Sequence, residues 1–176
     1  MSGSAYSIRR ARPADADHLA VLGPATFRET FGNEFPSPAI DARMAVIYAP
    51  DRLRMDLADP AQAWFMALAG EEPIGFLALG CGSAPDCVAG SRPMELSRLY
   101  LRVDWHGRGP AFALMQAGLD EAAARGVGTL WLQAWERNPK ALAFYRAHGF
   151  RRAGDVPVSF AGQELPHVVL VRSLSS

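Results

Sequence analysis

Apolar positions along the chain follow two periods, and the switches between them outline the elements. Tyr6 to Arg10 alternates over too few residues for a helix and predicts a short strand. PADAD, followed by HLAVLGPATFRETF, reads as a helix with an acidic, proline-punctuated start, where a missing N–H costs nothing and carboxylates oppose the helix dipole. Ile40, Met44, Ile47 and Leu53 recur near helical spacing and predict one or two short helices within Ser37 to Ala58. AWFMALAG and PIGFLALGCG are apolar runs separated by the turn-forming GEEP, the pattern of an antiparallel hairpin. After the loop SAPDCVAGSRP comes a strand, MELSRLYLRV, then a glycine-punctuated turn and a helix from about Pro110 to Arg125. GVGTLWLQAW predicts another strand, NPKALAFYRAHGF a helix closed by Gly149, and the remainder two strands around an AGQ turn.

This order predicts a mixed α/β (α+β) fold with a mostly antiparallel sheet and one parallel strand–helix–strand crossover at the glycine turn. With 176 residues, 49% of them hydrophobic, the chain fits one globular domain over residues 1–176 with a core of its own. Eighteen Lys plus Arg balance 18 Asp plus Glu, so no bulk field draws the protein to nucleic acid or to an anionic membrane, and a charged ligand must be recognised locally. MSGSAYSIRR lacks the apolar core of a signal peptide and no later apolar run is long enough to span a bilayer, which makes the cytoplasm the expected location. Cys81 and Cys87 lack the close-spaced His or Cys of a zinc site, so no metal is expected and both are read as reduced thiols.

The candidate chemistry starts at WHGRGPAFALM, Trp105 to Met115. A helix start leaves backbone N–H groups without partners at the positive end of the dipole, and glycines there let an anion, such as a phosphate, approach closely. The turn lacks the Gly-Lys-Ser/Thr ending of a nucleotide P-loop and is not a dinucleotide GxGxxG. His106-Gly107-Arg108-Gly109-Pro110-Ala111 instead resembles the Arg/Gln-x-x-Gly-x-Gly/Ala acetyl-CoA loop of the GNAT superfamily of N-acetyltransferases. Asn138-Pro139-Lys140-Ala141-Leu142-Ala143-Phe144-Tyr145, followed by Gly149-Phe150, resembles the family's Asn-x-x-Ala-x-x-Phe-Tyr…Gly-Phe segment, one strand after the glycine-loop helix. The finer texture, TFRETF early, ELSRLYL before the loop and WLQAWERNPKALAFYRAHGF after it, most resembles the bacterial branch that includes spermine/spermidine acetyltransferases.

The resemblance implies the GNAT fold, a mixed seven-stranded sheet flanked by helices with splayed central strands, and acetyl-CoA as cofactor. It implies that the N–H groups of Gly107, Arg108, Gly109 and Ala111 cradle the pyrophosphate, that Leu99 to Leu101 bond the pantetheine arm as an added strand, and that the Leu101 N–H polarises the thioester carbonyl. Asn138 would meet the far side of the arm, with Lys140, Phe144 and Tyr145 on the same helix. Two positions depart from the pattern: His106 replaces a permanently polar Arg or Gln by a titratable group, and Pro110 removes one donor while fitting the first helical position.

Alkyl amines are mostly protonated at neutral pH, with a pKa near 10.4 for lysine, so transfer calls for a base. Glu95 falls where some family members place a catalytic glutamate, and Tyr145 is the matching acid for the departing sulfur. The first helix and the segment after it wall the acceptor site in the family, which nominates Phe27, Glu29, Thr30, Phe31 and Glu34; Gln133, on the strand before the second motif, is a further candidate. A cationic acceptor such as a polyamine would be served by Glu29, Glu34, Glu95 and Glu136 if they converge. Acetylation of a protein N-terminus or lysine is an alternative acceptor class, and a catalytically silent CoA-binding module an alternative function; the family is also compatible with a homodimer. Trp131 and Trp135 alternate along a strand with Gln133 between them and read as core rather than as a ligand platform, while His148 reads as a helix cap and His18 and His167 as structural or exposed.

Overall fold

The computed structural model describes residues 5–80 and 82–174, so Cys81, read above as a reduced thiol, lies outside the described residues. Seven strands form one sheet in the order β1-β2-β3-β4-β5-β7-β6. They are β1 (Ser7–Arg10), β2 (Ala63–Ala69), β3 (Glu72–Gly80), β4 (Pro93–Leu101), β5 (Thr129–Trp135), β6 (Arg151–Phe160) and β7 (Gln163–Ser173). The helices are α1 (Ala16–Phe31), α2 (Ser37–Ile47), α3 (Pro50–Ala58), α4 (Pro110–Ala124) and α5 (Pro139–Ala147). Each lies where periodicity places it. The recorded ladders are antiparallel except β4 with β5, whose parallel register runs Pro93↔Thr129, Met94↔Leu130, Glu95↔Trp131. The strand–α4–strand crossover joins that pair, as the glycine turn predicts.

The chain divides into two compact units, residues 1–79 with 98–119, and residues 80–97 with 120–176. In the first, an aromatic seam forms much of the core: Trp64 stacks on Phe76 at 6.2 Å, Phe76 meets Tyr48 at 6.0 Å and Tyr100 at 5.8 Å, and Tyr100 meets Phe27 of α1 at 6.2 Å. The Arg98 guanidinium lies over both Trp64 and Tyr48, 5.1 and 5.5 Å from the ring centres. Burial pushes the Tyr48 and Tyr100 hydroxyls up, so both rings stay neutral beside that cation. Gly23 is obligatory because any Cβ there would enter the Tyr48 ring. In the second unit Trp131, Val169 and Val171 form a core cluster covered by Ala84, Cys87 and Val88 of the β3–β4 loop and by Ala153 and Val156 of β6.

The proline-punctuated start of α1 has a specific anchor. The Asp15 carboxylate takes two bonds from the Arg9 guanidinium, at 2.8 and 2.7 Å, and a third from the Arg12 N–H at 2.8 Å. This ties β1 to the first turn of the helix. The Arg9 bonds hold the Asp15 carboxyl below the usual carboxylate range, against the opposing effect of burial. A depressed folded-state pKa means stability that is present above the unfolded value, about 3.9, and lost as pH falls through the folded one. Asp15→Asn, which presents an amide N–H₂ to a donor, is therefore expected to cost about 1.5–3 kcal/mol in urea unfolding at pH 7. The difference from wild type should shrink steadily below about pH 4; a difference that is constant with pH would remove the ionised carboxylate as its cause.

Candidate functional site

Between β4 and α4 the backbone makes a 3-10 turn, Val103–Trp105, and then the glycine turn. Gly107 and Gly109 have φ of 73° and 105°, left-handed values that suit glycine alone. A Cβ on Gly107 would meet nothing within 4 Å, so the loop surface there is open, whereas one on Gly109 would lie 2.7 Å from the Tyr6 hydroxyl. The donors separate into two sets. His106 N–H bonds the Val103 carbonyl at 3.1 Å and Arg108 N–H the Trp105 carbonyl at 3.3 Å. The N–H groups of Gly107, Gly109 and Ala111 have no acceptor among the described residues. Pro110, buried at the first helical position, has no N–H to satisfy.

The His106 ring is turned toward the end of β4, its Nε2 donating to the Leu101 carbonyl at 2.9 Å. Leu101 itself is buried and comes so close to β3 that a Cβ on Gly75 would lie 2.7 Å from its Cδ1, while Leu99 is half-buried. Arg108 is exposed and reaches back over the Trp105 ring at 5.7 Å. Trp105 in turn meets Tyr6 edge-on at 6.5 Å. On α1, Phe27 and Phe31 pack at 4.7 Å, Phe31 and Phe35 at 6.3 Å, and Thr30 returns its hydroxyl to the Thr26 carbonyl at 3.0 Å. Glu29 accepts the Val103 N–H at 2.8 Å, and Glu34 is exposed beyond the helix end.

In the second unit Glu95 is half-buried beside Trp131 in the parallel ladder, and its carboxylate lies directly over Gly82, where any side chain would collide with it. Trp131 Nε1 is buried with no hydrogen-bond partner among the described residues. Trp131 and Trp135 are both buried while Gln133 between them is exposed, in line with a core role for the tryptophans. Asn138 Oδ1 caps α5 by accepting the Ala141 N–H at 3.2 Å, which fixes the side chain and leaves Nδ2 without a partner among the described residues. Lys140 is exposed on the first turn of α5. Tyr145 is half-buried, edge-on to Phe144 at 5.6 Å and to Phe150 at 5.9 Å, and Phe144 lies 4.3 Å from the His148 ring. His148 caps α5 as expected, its Nδ1 2.8 Å from the Phe144 carbonyl. Glu136 is met by Arg152 at 3.5 Å.

Tyr6, Gly82 and Arg98 are the residues that sequence patterning misses. Gly82 had one faint signal, a glycine on either side of Cys81 at the end of an apolar run, while Tyr6 and Arg98 had none. The described residues contain no cluster of His, Cys, Asp and Glu able to hold a metal, and no helix long and apolar enough to cross a membrane.

Residues 25–150 match the model of the acetyltransferase (GNAT) family. An uncharacterized N-acetyltransferase of Mycobacterium tuberculosis is 30% identical over 164 residues, covering 91% of this chain and 98% of that protein. Streptothricin acetyltransferase of Streptomyces lavendulae is 28% identical over 166 residues, 86% of this chain and 85% of that protein. The crystal structure of PaiA N-acetyltransferase from Thermoplasma acidophilum in complex with coenzyme A is similar in fold, with a TM-score of 0.78 at 17% identity over 96% of this chain and 98% of that one.

The backbone of the glycine turn sets a measurable constraint. Gly109→Ala is expected to cost about 1–3 kcal/mol in denaturant unfolding, from the left-handed φ together with the Tyr6 contact. Adding Tyr6→Phe removes the oxygen and should recover only the contact share; full recovery would show that the φ angle is not the constraint.

Proposed function

This chain belongs to the GNAT acetyltransferase family, and from that premise we propose that residues 1–176 act as a single domain transferring acetyl from acetyl-CoA to the primary amine of a small cytoplasmic molecule, a polyamine being one such acceptor. The glycine turn carries this reading: the N–H groups of Gly107, Gly109 and Ala111, which have no acceptor among the described residues, lie at the positive end of a 15-residue helix, and the surface at Gly107 is open. Bound acetyl-CoA supplies an activated thioester carbonyl and a sulfur leaving group.

The chain's residues then have separable tasks. Leu99 and Leu101 offer backbone groups at the end of β4, and the Leu101 N–H donates to the thioester oxygen, where negative charge grows during attack. Asn138, already held by its capping bond, has two Nδ2 donors to spend on the pantetheine amides. Glu95 takes a proton from the ammonium group so that a neutral nitrogen attacks, and the Tyr145 hydroxyl gives a proton to the departing sulfur. Phe144 supports the Tyr145 ring edge-on. Lys140, exposed on the first turn of α5, and Arg108 supply positive charge for the phosphates. On α1 and just after it, Phe27, Thr30, Phe31 and Glu34 are the acceptor-side candidates of this reading, and Gln133, exposed on β5, is a further one.

Thiol release from acetyl-CoA, followed across spermidine, spermine, amino acids, aminoglycosides and short peptides, tests the reading directly. We expect release that depends on one class of small amine and falls about 100-fold or more in kcat for Tyr145→Phe. Turnover on peptides alone would move the acceptor to a protein N-terminus or lysine. Acetyl-CoA binding in calorimetry with no turnover on any amine would replace the transferase by a CoA-binding module.

A further inference from the structure

The cofactor loop is entered through Val103–Trp105, and the start of that turn lacks a cap of its own. The residue at its N-cap is Arg102, whose side chain has donors only and makes no capping bond. The first N–H, that of Val103, is instead accepted by Glu29 Oε2 at 2.8 Å, from a residue 74 positions earlier on α1. Bonds then follow one another into the loop: Trp105 N–H to the Arg102 carbonyl at 3.0 Å, His106 N–H to the Val103 carbonyl at 3.1 Å, Arg108 N–H to the Trp105 carbonyl at 3.3 Å. The peptide unit that receives the His106 N–H thus follows directly on the one held by Glu29. His106 is also the residue whose Nε2 closes back on the Leu101 carbonyl. The end of α1 that carries Glu29 is itself fastened, by Arg28 to Asp41 of α2 at 2.5 Å.

From this we infer that Glu29 is a positioning residue for the glycine loop, holding the turn that sets the Gly107 and Gly109 donors, and is not a recognition group for the acceptor. The inference rests on the reading of the loop as the acetyl-CoA site. A carboxylate that binds a cationic amine must be charged; one that caps a backbone N–H need only present an acceptor oxygen. Glutamine keeps that oxygen at the same reach and removes the charge, so Glu29→Gln and Glu29→Ala part the two roles. Val103→Pro deletes the donor instead, at a first-turn position preceded by Arg102 with φ −55° and ψ 140°, a conformation that suits a following proline.

The test combines hydrogen exchange on the full chain with acetyl-CoA calorimetry and steady-state kinetics on the amine that the panel selects. Glu29→Ala should speed amide exchange in the 103–109 segment, weaken acetyl-CoA binding about tenfold and raise KM for acetyl-CoA in step, with KM for the amine within about twofold of wild type. Glu29→Gln should restore both exchange and binding. Val103→Pro should weaken binding like Glu29→Ala, and the double variant should be no worse than either, the non-additivity of two halves of one bond. Three results overturn the inference: Glu29→Ala that exchanges and binds like wild type, Glu29→Gln as impaired as Glu29→Ala with the loss in the amine KM, or additive losses in the double variant. Wild-type protein that binds no acetyl-CoA overturns the reading of the loop, while the exchange pattern still decides whether Glu29 holds it.

Discussion

The left-handed backbone of the glycine turn is the constraint on which the surrounding structure depends. A chain normally satisfies its N–H groups, and three neighbouring ones at Gly107, Gly109 and Ala111 have no acceptor among the described residues. Here the flanks are held from several directions: His106 onto Leu101, Arg108 over Trp105, Trp105 against Tyr6, the Tyr6 hydroxyl beneath Gly109, and Glu29 on the Val103 N–H. None of these contacts is strong alone. Together they leave the turn one conformation, in which the donors can serve a ligand without reorganisation.

β4 is shaped by the same demand for fixed backbone. Its first residues pair in parallel with β5, and its last pair of leucines leads into the loop. Glycines on and just after β3 make room for what β4 carries: Gly75 for Leu101, Gly80 for Ser97, Gly82 for Glu95. Small residues on one strand thus allow large or charged ones on the next, and Glu95 owes its half-buried position to the glycine beneath it. Arg98, on the same strand, lies with its guanidinium over the faces of Trp64 and Tyr48.

Much of this was legible in the sequence, and the boundary falls at a physical line. Elements whose signal is local, such as the 63–80 hairpin, α4 after its glycine turn and α5 between Asn138 and Gly149, could be read because periodicity, caps and breakers act over a few residues. The family motifs are local too, and the match over residues 25–150 agrees with them. Side-chain partners were not legible. Nothing in TFRETF says that its glutamate ends on an N–H 74 residues away, nothing in HGRG says that the histidine turns back to Leu101, and nothing in AYS says that its tyrosine supports Gly109. Tertiary placement decides these.

The distribution of negative charge narrows how an acceptor can be held. Of the four glutamates that could attract a cation, Glu29 is engaged by a backbone donor and Glu136 by Arg152. Glu34, beyond the end of α1, is exposed, and such a carboxylate contributes no more than about 1 kcal/mol to an ion pair in water. From α1 and the segment after it, charge alone therefore gives little affinity for a polycation. Contact area has to supply more, and along α1 and just beyond its end that area is aromatic: Phe27, Phe31 and Phe35 succeed one another four residues apart, each half-buried, with Tyr100 behind Phe27. An acceptor with an apolar or flat body next to its amine would use that surface in a way that a fully hydrated chain of charges cannot.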